Sequence, residues 1–592
     1  MIPYRILIVC LSIGISCLSG SMNVRANEPN SLNVLFIAID DLKPVLNCYG
    51  SSQIISPNID EIAEKGILFR NAYCQWAVCG ATRASMLTGL TPDFSGVRNL
   101  STQLRDVSPD VITMPQYFKD NGYVTAAVGK VFDPRTVDEG HDTPSWTQAY
   151  TDPGSYSYPP EYGDFVKGQY RVAANMSTEC GPEGVDDDGY MDGQICLDAL
   201  SKLTSFANSG ETFFLAVGFK KPHIPFIAPK KYWDMYQRDS LSLSSFQRVA
   251  EGSPEYAYHS PEPLGYDDIP DIWTYSDIEM GDSILHPDDQ RRLLHGYYAA
   301  TSYIDAQVGK LIRKLEETGL ADSTIVVIWG DHGYHLGDHN QWGKHTNFEQ
   351  ATRAPLIIYS PGNVTSVYED PVEFLDIYPT LAELTGLKVS NVLQGQSLAG
   401  VLQGAEETLK TPAVSEYRSG GHASYSFRTE RYRYTIWMDK TSTRPDQVDW
   451  NAANIFEEEL YDYKLDSLET KNLAGEVAYS GIRDSIQNLA EAWWNNLRAY
   501  ALNPPTDMRS TFREQSEHLF FPNPANHFIW TNQALNSQHI RIFSMDGKLM
   551  LEERTLVSPL DISSLPGNTY IIQVSDGING MLYGCSKLVK LL

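Results

Sequence analysis

Two short runs of unbroken apolar residues stand out along the chain. The first, residues 33–39 (NVLFIAI), ends in Asp40-Asp41. The second, residues 324–329 (TIVVIW), ends in Gly330-Asp331-His332-Gly333. Runs this short and this rich in β-branched residues predict strands buried on both faces, as in a parallel sheet. Between them the pattern turns helical. From Asp288 to about Thr318, one side carries Leu293, Leu294, Tyr297, Ile304, Val308, Leu311 and Leu315. Pro287 opens that segment and Gly319 closes it, as helix ends require. Alternating strands and helices over hundreds of residues predict an open α/β sheet with helices on both faces. Ligands of such sheets sit at the carboxyl ends of strands, where Asp40, Asp41, Asp331 and His332 stand.

Further on the pattern changes twice. Residues 424–437 read as one or two strands around a bend. Residues 482–502 read as a helix with Ala490, Trp493 and Leu497 inward. Together they predict a smaller antiparallel sheet with a helix, over residues 401–508. From about residue 516 come short alternating strands such as His539-Ile540-Arg541-Ile542-Phe543 and Thr569-Tyr570-Ile571-Ile572-Gln573-Val574. Asp546-Gly547, Pro566-Gly567-Asn568 and Asp576-Gly577 separate them as turns. This predicts a terminal β-sandwich over residues 516–592.

Residues 1–26 read as a secretory signal. Arg5 precedes a largely apolar stretch from Ile6 to Ser19, too short to span a bilayer comfortably, and Val24-Arg25-Ala26 offers small residues for cleavage. No later apolar run reaches membrane-span length, so an exported protein without a transmembrane segment is expected. Eight cysteines in 592 residues are too few for a disulfide scaffold. Cleavage would leave six, among which Cys180 and Cys196, flanking an acidic Gly-rich loop, are the first pair expected to bond. With 74 acidic and 46 basic side chains, the net charge is −28. A bulk surface so acidic speaks against nucleic acid as a partner. The tail does not share it: from residue 516 there are six acids and five bases.

Three aspartates and a fourth polar group at two strand ends suit a hard divalent cation. Either motif by itself is also an ordinary turn or cap. Between them, Cys79-Gly80-Ala81-Thr82-Arg83 opens a helical segment, with Arg83 one turn after Cys79. Free N–H groups, the positive end of the helix dipole and Arg83 make an anion pocket. The residues leave three readings of Cys79 open: a buried thiol, a low-pKa nucleophile, or a modified residue.

The ordered set of motifs resembles a type I sulfatase, from about Asn33 to Asn472, most closely the iduronate-2-sulfatase-like branch. It is carried by Cys79-Gly80-Ala81-Thr82-Arg83 between the Asp-Asp and Gly-Asp-His-Gly strand ends, and by Ser56-Pro57-Asn58-Ile59-Asp60 and Val128-Gly129-Lys130-Val131-Phe132. Lys221-Pro222-His223-Ile224-Pro225-Phe226, Trp342-Gly343-Lys344 and Phe427-Arg428-Thr429-Glu430-Arg431-Tyr432-Arg433 continue it. The resemblance implies an alkaline-phosphatase-like α/β fold with a large mixed central sheet in a catalytic domain, residues 27–400, and a smaller α+β subdomain. It implies oxidation of Cys79 to formylglycine (3-oxoalanine) by a maturase, and one Ca²⁺ held by Asp40, Asp41, Asp331, His332 and the modified residue 79. Arg83 would hold residue 79, and Lys130, His223 and Lys344 would bind sulfate oxygens and protonate the leaving oxygen. Asp133 stands where that branch often has a histidine, as a second-step base or a turn cap. Ala81 and Thr82 replace the commoner proline and serine. In the tail, Phe521-Pro522-Asn523-Pro524, Ile542-Phe543-Ser544-Met545-Asp546-Gly547-Lys548 and Lys587-Leu588-Val589-Lys590 resemble the type IX secretion sorting domain, which implies export through the periplasm by that machinery.

The function implied is hydrolysis of sulfate esters on a polysaccharide or its oligosaccharides, algal (ulvan foremost) or glycosaminoglycan, with exo attack on a 2-O-sulfate. A phosphomonoesterase or phosphodiesterase of the same superfamily, or a non-catalytic surface glycan-binding protein, are the alternatives.

Overall fold

A computed structural model describes residues 32–151, 153–158, 184–259, 285–405, 412–419, 421–439 and 444–505, and strands within residues 520–590. The strand predicted from residue 33 is β1 (Asn33–Ile39), inside a seven-stranded sheet. The other members are β2 (Ile67–Phe69), β3 (Val124–Gly129), β4 (Phe213–Phe219), β5 (Thr324–Gly330), β6 (Leu356–Tyr359) and β7 (Ser366–Tyr368). Their spatial order is β7-β2-β6-β5-β1-β4-β3. β1 is parallel to β4 and β5, β4 is parallel to β3, and β6 is antiparallel to β5 and β2. The sheet is therefore mixed, with its parallel centre flanked by an antiparallel strand.

Alternate residues of β1 feed two cores, because successive side chains of a strand point to opposite faces. Leu35, Ile37 and Ile39 join one, with Ala199, Leu203 and Phe206 of one helix and Leu293, Ile304 and Val308 of another. Val34, Phe36 and Ala38 join the other, with Ala84, Met86 and Leu87. The helices are α1 (Cys79–Thr88), α2 (Met191–Ser209) and α3 (Pro287–Glu317). Both sheet faces are thus covered, which is why the strand sequences are apolar without alternation.

The smaller sheet is antiparallel and sequential: β8 (Ala413–Ser419), β9 (His422–Arg428), β10 (Tyr432–Asp439) and β11 (Ile455–Asp462). Helix α4 (Ser480–Leu502) buries Ile486, Ala490, Trp494 and Leu497. The expected inward Trp493 is corrected by one residue. Trp494 is 1% exposed and Trp493 packs half-buried beside it. One residue is about 100° of helical turn, so the neighbour at i+4 from Ala490 takes the central position. In the tail, the strands Phe520–Phe521, Phe528–Thr531 and Leu560–Asp561 form one sheet, and Leu549–Glu553, Gln538–Ser544, Asn568–Asp576 and Leu582–Lys590 another; all pairings are antiparallel.

The expected disulfide is not made by Cys196. Its thiol is free, buried, and donates to the Gln307 carbonyl at 3.6 Å; Cys180 and the signal segment 1–26 lie outside the described residues. Among the described residues, no helix is long and apolar enough to cross a membrane.

Candidate active site

The register of the central strands brings the motif residues to one edge. Ile39 is level with Gly330 of β5 and Phe219 of β4, so Asp40-Asp41 and Asp331-His332 leave the sheet side by side. Asp41 has φ 59°, a left-handed backbone uncommon outside glycine and typical of functional turns. The Tyr297 hydroxyl of α3 donates to the Asp41 carbonyl at 2.7 Å and accepts from Lys43 N–H at 2.8 Å, fixing that turn. One strand further, Gly129 and Gly218 are register partners. A Cβ on Gly129 would lie 2.1 Å from the Gly218 oxygen, and one on Gly218 would lie 2.1 Å from Lys130 backbone atoms. Only glycines permit this approach, which delivers Lys130 to the same edge.

Cys79 is the first residue of α1 and is 1% exposed. Its Sγ lies 3.3 Å from His332 Nε2, 3.4 Å from Lys344 Nζ and 3.9 Å from Asp41 Oδ1. Lys344 Nζ donates to Asp41 Oδ1 at 2.6 Å, and Lys130 Nζ to Asp40 Oδ2 at 2.6 Å. Arg83, fully buried, reaches Asp331 Oδ2 through Nε at 2.9 Å and Asp40 Oδ1 through NH2 at 3.2 Å. Its NH1 donates to the carbonyls of Lys130 and Val131. His223 Nε2 is 3.9 Å from Asp41 Oδ2, and Nδ1 lies 2.6 Å from the Ile224 carbonyl. Three carboxylates, three cationic side chains and two imidazoles therefore surround one sulfur atom.

Burial dominates the proton affinities. It opposes ionisation of Asp40, yet Lys130, His223, Arg83 and Lys344 hold that carboxyl well below its ordinary range. Burial pushes Asp331 up to about 6, against Arg83 and together with the negative charge of Asp40. Such crowding of carboxylates is what a cation relieves. Burial, then Lys344, keeps His332 neutral. Its Nδ1 lies 2.9 Å from the Gly333 carbonyl, so Nδ1 carries the hydrogen and the Nε2 lone pair faces Cys79. Burial and Asp40 push the Cys79 thiol well above its ordinary value, which argues against a low-pKa thiolate nucleophile.

Two overlapping groups of side chains could hold a cation. Ligand atoms of Asp40, Asp41, Cys79 and His223 lie within 4.8 Å of one another, as do those of Cys79, Asp331 and His332. Oxygen ligands of Ca²⁺ stand roughly 2.3–2.6 Å from the ion, hence at most about 5 Å apart. The carboxylate oxygens of Asp40 and Asp41 fall within that spacing, and Asp331 and His332 share Cys79 with them, so these residues could hold such an ion.

A family model described as Sulfatase matches residues 32–387. The chain belongs to the sulfatase family. A second model, N-sulphoglucosamine sulphohydrolase C-terminal, matches residues 337–494, and a secretion system C-terminal sorting domain matches residues 519–584. Iduronate 2-sulfatase of Homo sapiens is 33% identical over 77% of this chain and 94% of its own length; that of Mus musculus is 32% identical, over 82% and 98%. Among solved structures, BT4656 in complex with its substrate D-glucosamine-2-N,6-O-disulfate covers 80% of this chain and 99% of its own. Its TM-score is 0.62 at 22% identity, a likeness of fold. The protein is thus a sulfatase of the iduronate-2-sulfatase-like branch, in a family that uses formylglycine, and its type IX sorting tail directs it to secretion or the cell surface.

In this sulfatase every expected site residue but one converges on Cys79. Asp133 is the exception: of its two expected roles, base or turn cap, its contacts are those of the cap. Its Oδ1 accepts from Arg135 N–H at 3.1 Å and Nε at 2.8 Å, its Oδ2 accepts from NH2 at 2.7 Å, and its carbonyl accepts from Thr136 N–H at 2.9 Å. Lys130 Nζ lies 3.5 Å from Asp133 Oδ2, so Asp133 also steadies Lys130. Arg83 likewise differs in detail: its bonds run to Asp40, Asp331 and the strand-end carbonyls. The unusual Thr82 has a task, since its hydroxyl donates to the Asp331 carbonyl at 2.9 Å. Sequence reasoning missed Lys221. Its buried Nζ donates to the carbonyls of His223 at 2.5 Å and Pro225 at 2.8 Å, shaping the loop that carries His223. It also placed Tyr297 on an apolar helix face without seeing its hydroxyl at Asp41. The available signal was the polar end of a tyrosine among leucines.

Proposed function

We propose that this sulfatase hydrolyses sulfate esters on a uronic-acid-containing glycan, through a formylglycine made from Cys79 by a maturase before export. The observation that carries the reading is the arrangement around Cys79: buried, neutral, at a helix N-terminus, and ringed by Lys130, Lys344, Arg83 and three aspartates. Asp40, Asp41, Asp331 and His332 would hold one Ca²⁺. That ion would supply positive charge for sulfate oxygens, and the hydrated aldehyde would supply the attacking hydroxyl.

The chain's own residues do the rest. Lys130 and Lys344 each present an ammonium to the sulfate oxygens in a buried site, where such charges act strongly. Arg83 locks Asp40 and Asp331 to the backbone of Lys130 and Val131, so the carboxylates need no reorganisation during turnover. A sugar alkoxide leaves poorly and requires a proton. His223, as the imidazolium, donates it from Nε2, or Lys344 donates it from Nζ; the Nδ1 bond of His223 to the Ile224 carbonyl leaves Nε2 as the face toward the site.

The relatives named iduronate 2-sulfatase support a 2-O-sulfate on a terminal uronic acid as the ester attacked. An algal polymer such as ulvan shares that sugar chemistry, which suits an exported protein. The domain division 27–400, 401–508 and 516–592, after a signal of residues 1–26 and passage through the periplasm, completes the reading.

Two measurements test it. A peptide mass spectrum over Cys79, from protein co-expressed with a maturase, should show the aldehyde; an unmodified thiol in folded native-source protein favours a glycan binder. Matched sulfate and phosphate esters, then defined uronate-2-O-sulfated oligosaccharides of algal and glycosaminoglycan type, should show sulfate release from chain ends. Dominant phosphate turnover would sink the reading.

A further inference from the structure

Lys344 is delivered by a segment that belongs to neither a helix nor the main sheet. It follows the two-residue strand Trp342–Gly343 and runs to the single helical turn Glu349–Thr352. His345, next to Lys344, has φ 68°. Local backbone bonding supplies little rigidity over residues 344–348. His335 meets the Thr346 hydroxyl at 2.9 Å, and the rest of the support comes from the smaller domain.

Arg433, on β10 and 2% exposed, donates through NH1 to the Asn347 carbonyl at 2.6 Å and through Nε to Glu469 Oε1 at 2.5 Å. Glu469 Oε2 accepts from Glu349 N–H at 3.1 Å. One buried ion pair thus holds both ends of the peptide stretch 347–349. The guanidinium lies over the Phe348 ring at 5.0 Å and over Tyr461 at 4.7 Å, so it also clasps the side chain between those two bonds. On its other side Phe348 stacks on His339 at 4.3 Å. Around this core, Ser424 of β9 accepts from Asn347 Nδ2 at 3.0 Å, and Arg428 Nε reaches Glu349 Oε2 at 3.3 Å. Glu469 is fully buried with φ 55°, a backbone costly for a side-chain-bearing residue and kept where surroundings over-determine it.

We propose that Arg433 and Glu469 are positioning residues for Lys344: a buried ion pair of the smaller domain that sets the lysine's Nζ against Cys79 and Asp41. The proposal rests on the catalytic reading of Lys344 above. It gives the smaller domain a task in the chemistry, and it explains why an arginine is needed. Only a planar fork serves a carbonyl and a carboxylate while lying flat on a ring. Arg433 touches neither substrate nor the reacting atoms, so its effect must pass through Lys344.

A double-mutant cycle on the full mature chain tests this. Arg433→Met, which keeps a long apolar stem, should lower kcat by on the order of 10- to 100-fold, because small misplacement of a catalytic group costs that much. KM should change less. Arg433→Lys, able to serve one partner at a time, should recover part of the loss. In a Lys344→Ala background, Arg433→Met should change kcat by less than about twofold, since coupled residues are not additive. Glu469→Gln, the milder variant should Arg433→Met fail to fold, should show the same dependence on Lys344. If Arg433→Met or Glu469→Gln lowers kcat by the same factor with and without Lys344, or leaves kcat unchanged, the clamp is overturned while the role of Lys344 stands. Full activity of Lys344→Ala alone overturns both.

Discussion

Replacing Lys344 by alanine removes one ammonium from the centre of the site. In the folded protein that ammonium stands 2.6 Å from Asp41 Oδ1 and 3.4 Å from Cys79 Sγ. A unit charge at that second distance, with an effective dielectric near 20, interacts with a full opposite charge by roughly 5 kcal/mol. That is a ceiling, since the ground-state sulfate is already charged and only the part that grows in the transition state accelerates the reaction. Loss of one donor to a developing oxyanion costs about 2.7–4 kcal/mol in comparable sites. The expectation is therefore a fall in kcat of about 10²–10³-fold, with a smaller rise in KM. The assay is release of inorganic sulfate at saturating substrate by protein whose residue 79 is verified as aldehyde by mass. Thermal unfolding run beside it establishes that the variant is folded. A folded, fully modified variant with kcat within about threefold of the parent would refute the placement of Lys344 in the chemistry.

Other outcomes follow from the same structure. Chelation of divalent cations should abolish turnover and lower the unfolding temperature, because Asp40, Asp41 and Asp331 would face one another without their counter-ion; re-addition of Ca²⁺ should restore both, and indifference of both to chelator would refute the cation site. Burial holds His335 down to about 4 from its ordinary 6.5, with Asp338 opposing and Lys43 and Arg433 assisting. Its folded-state pKa is depressed, so its contribution is complete above pH 6.5 and is lost as pH falls toward 4, by about 3 kcal/mol. Urea titrations between pH 7 and 4 should show that loss, and His335→Gln should flatten it. Trp494→Ala empties the centre of the smaller core, where the indole is 1% exposed and its Nε1 donates to the Val448 carbonyl at 2.9 Å. It should cost about 3–5 kcal/mol, read as a lowered urea midpoint, whereas Trp493→Ala should cost clearly less.

Much of the fold was legible in the chain alone, and for a local reason. A strand buried on both faces must be apolar without interruption, so residues 33–39 and 324–329 announced themselves and pointed to the aspartates that follow them. A helix start is likewise written in a few neighbouring residues, and Cys79 with Arg83 four places later was visible in that form. The amphipathic helix from residue 287 to 317 carried its own punctuation. The ordered spacing of these motifs sufficed to identify the family.

Tertiary structure decided the rest, because those facts depend on residues distant along the chain. Asp133 reads from sequence as a base or a cap; only the fold shows its carboxylate bonded to Arg135 and beside Lys130. Both adjacent tryptophans of α4 pack on Tyr425 of the sheet, and which of them is fully buried is a difference of one residue that periodicity does not resolve. Gly129 and Gly218 have meaning only as partners across two strands. In the sequence Arg433 is only the last residue of the motif that begins at Phe427; folded, it is buried between Glu469 and the segment that carries Lys344. Hydrophobic pattern records which side of an element faces inward. It does not record what waits there, and the partners of buried charges in this sulfatase are drawn from both domains.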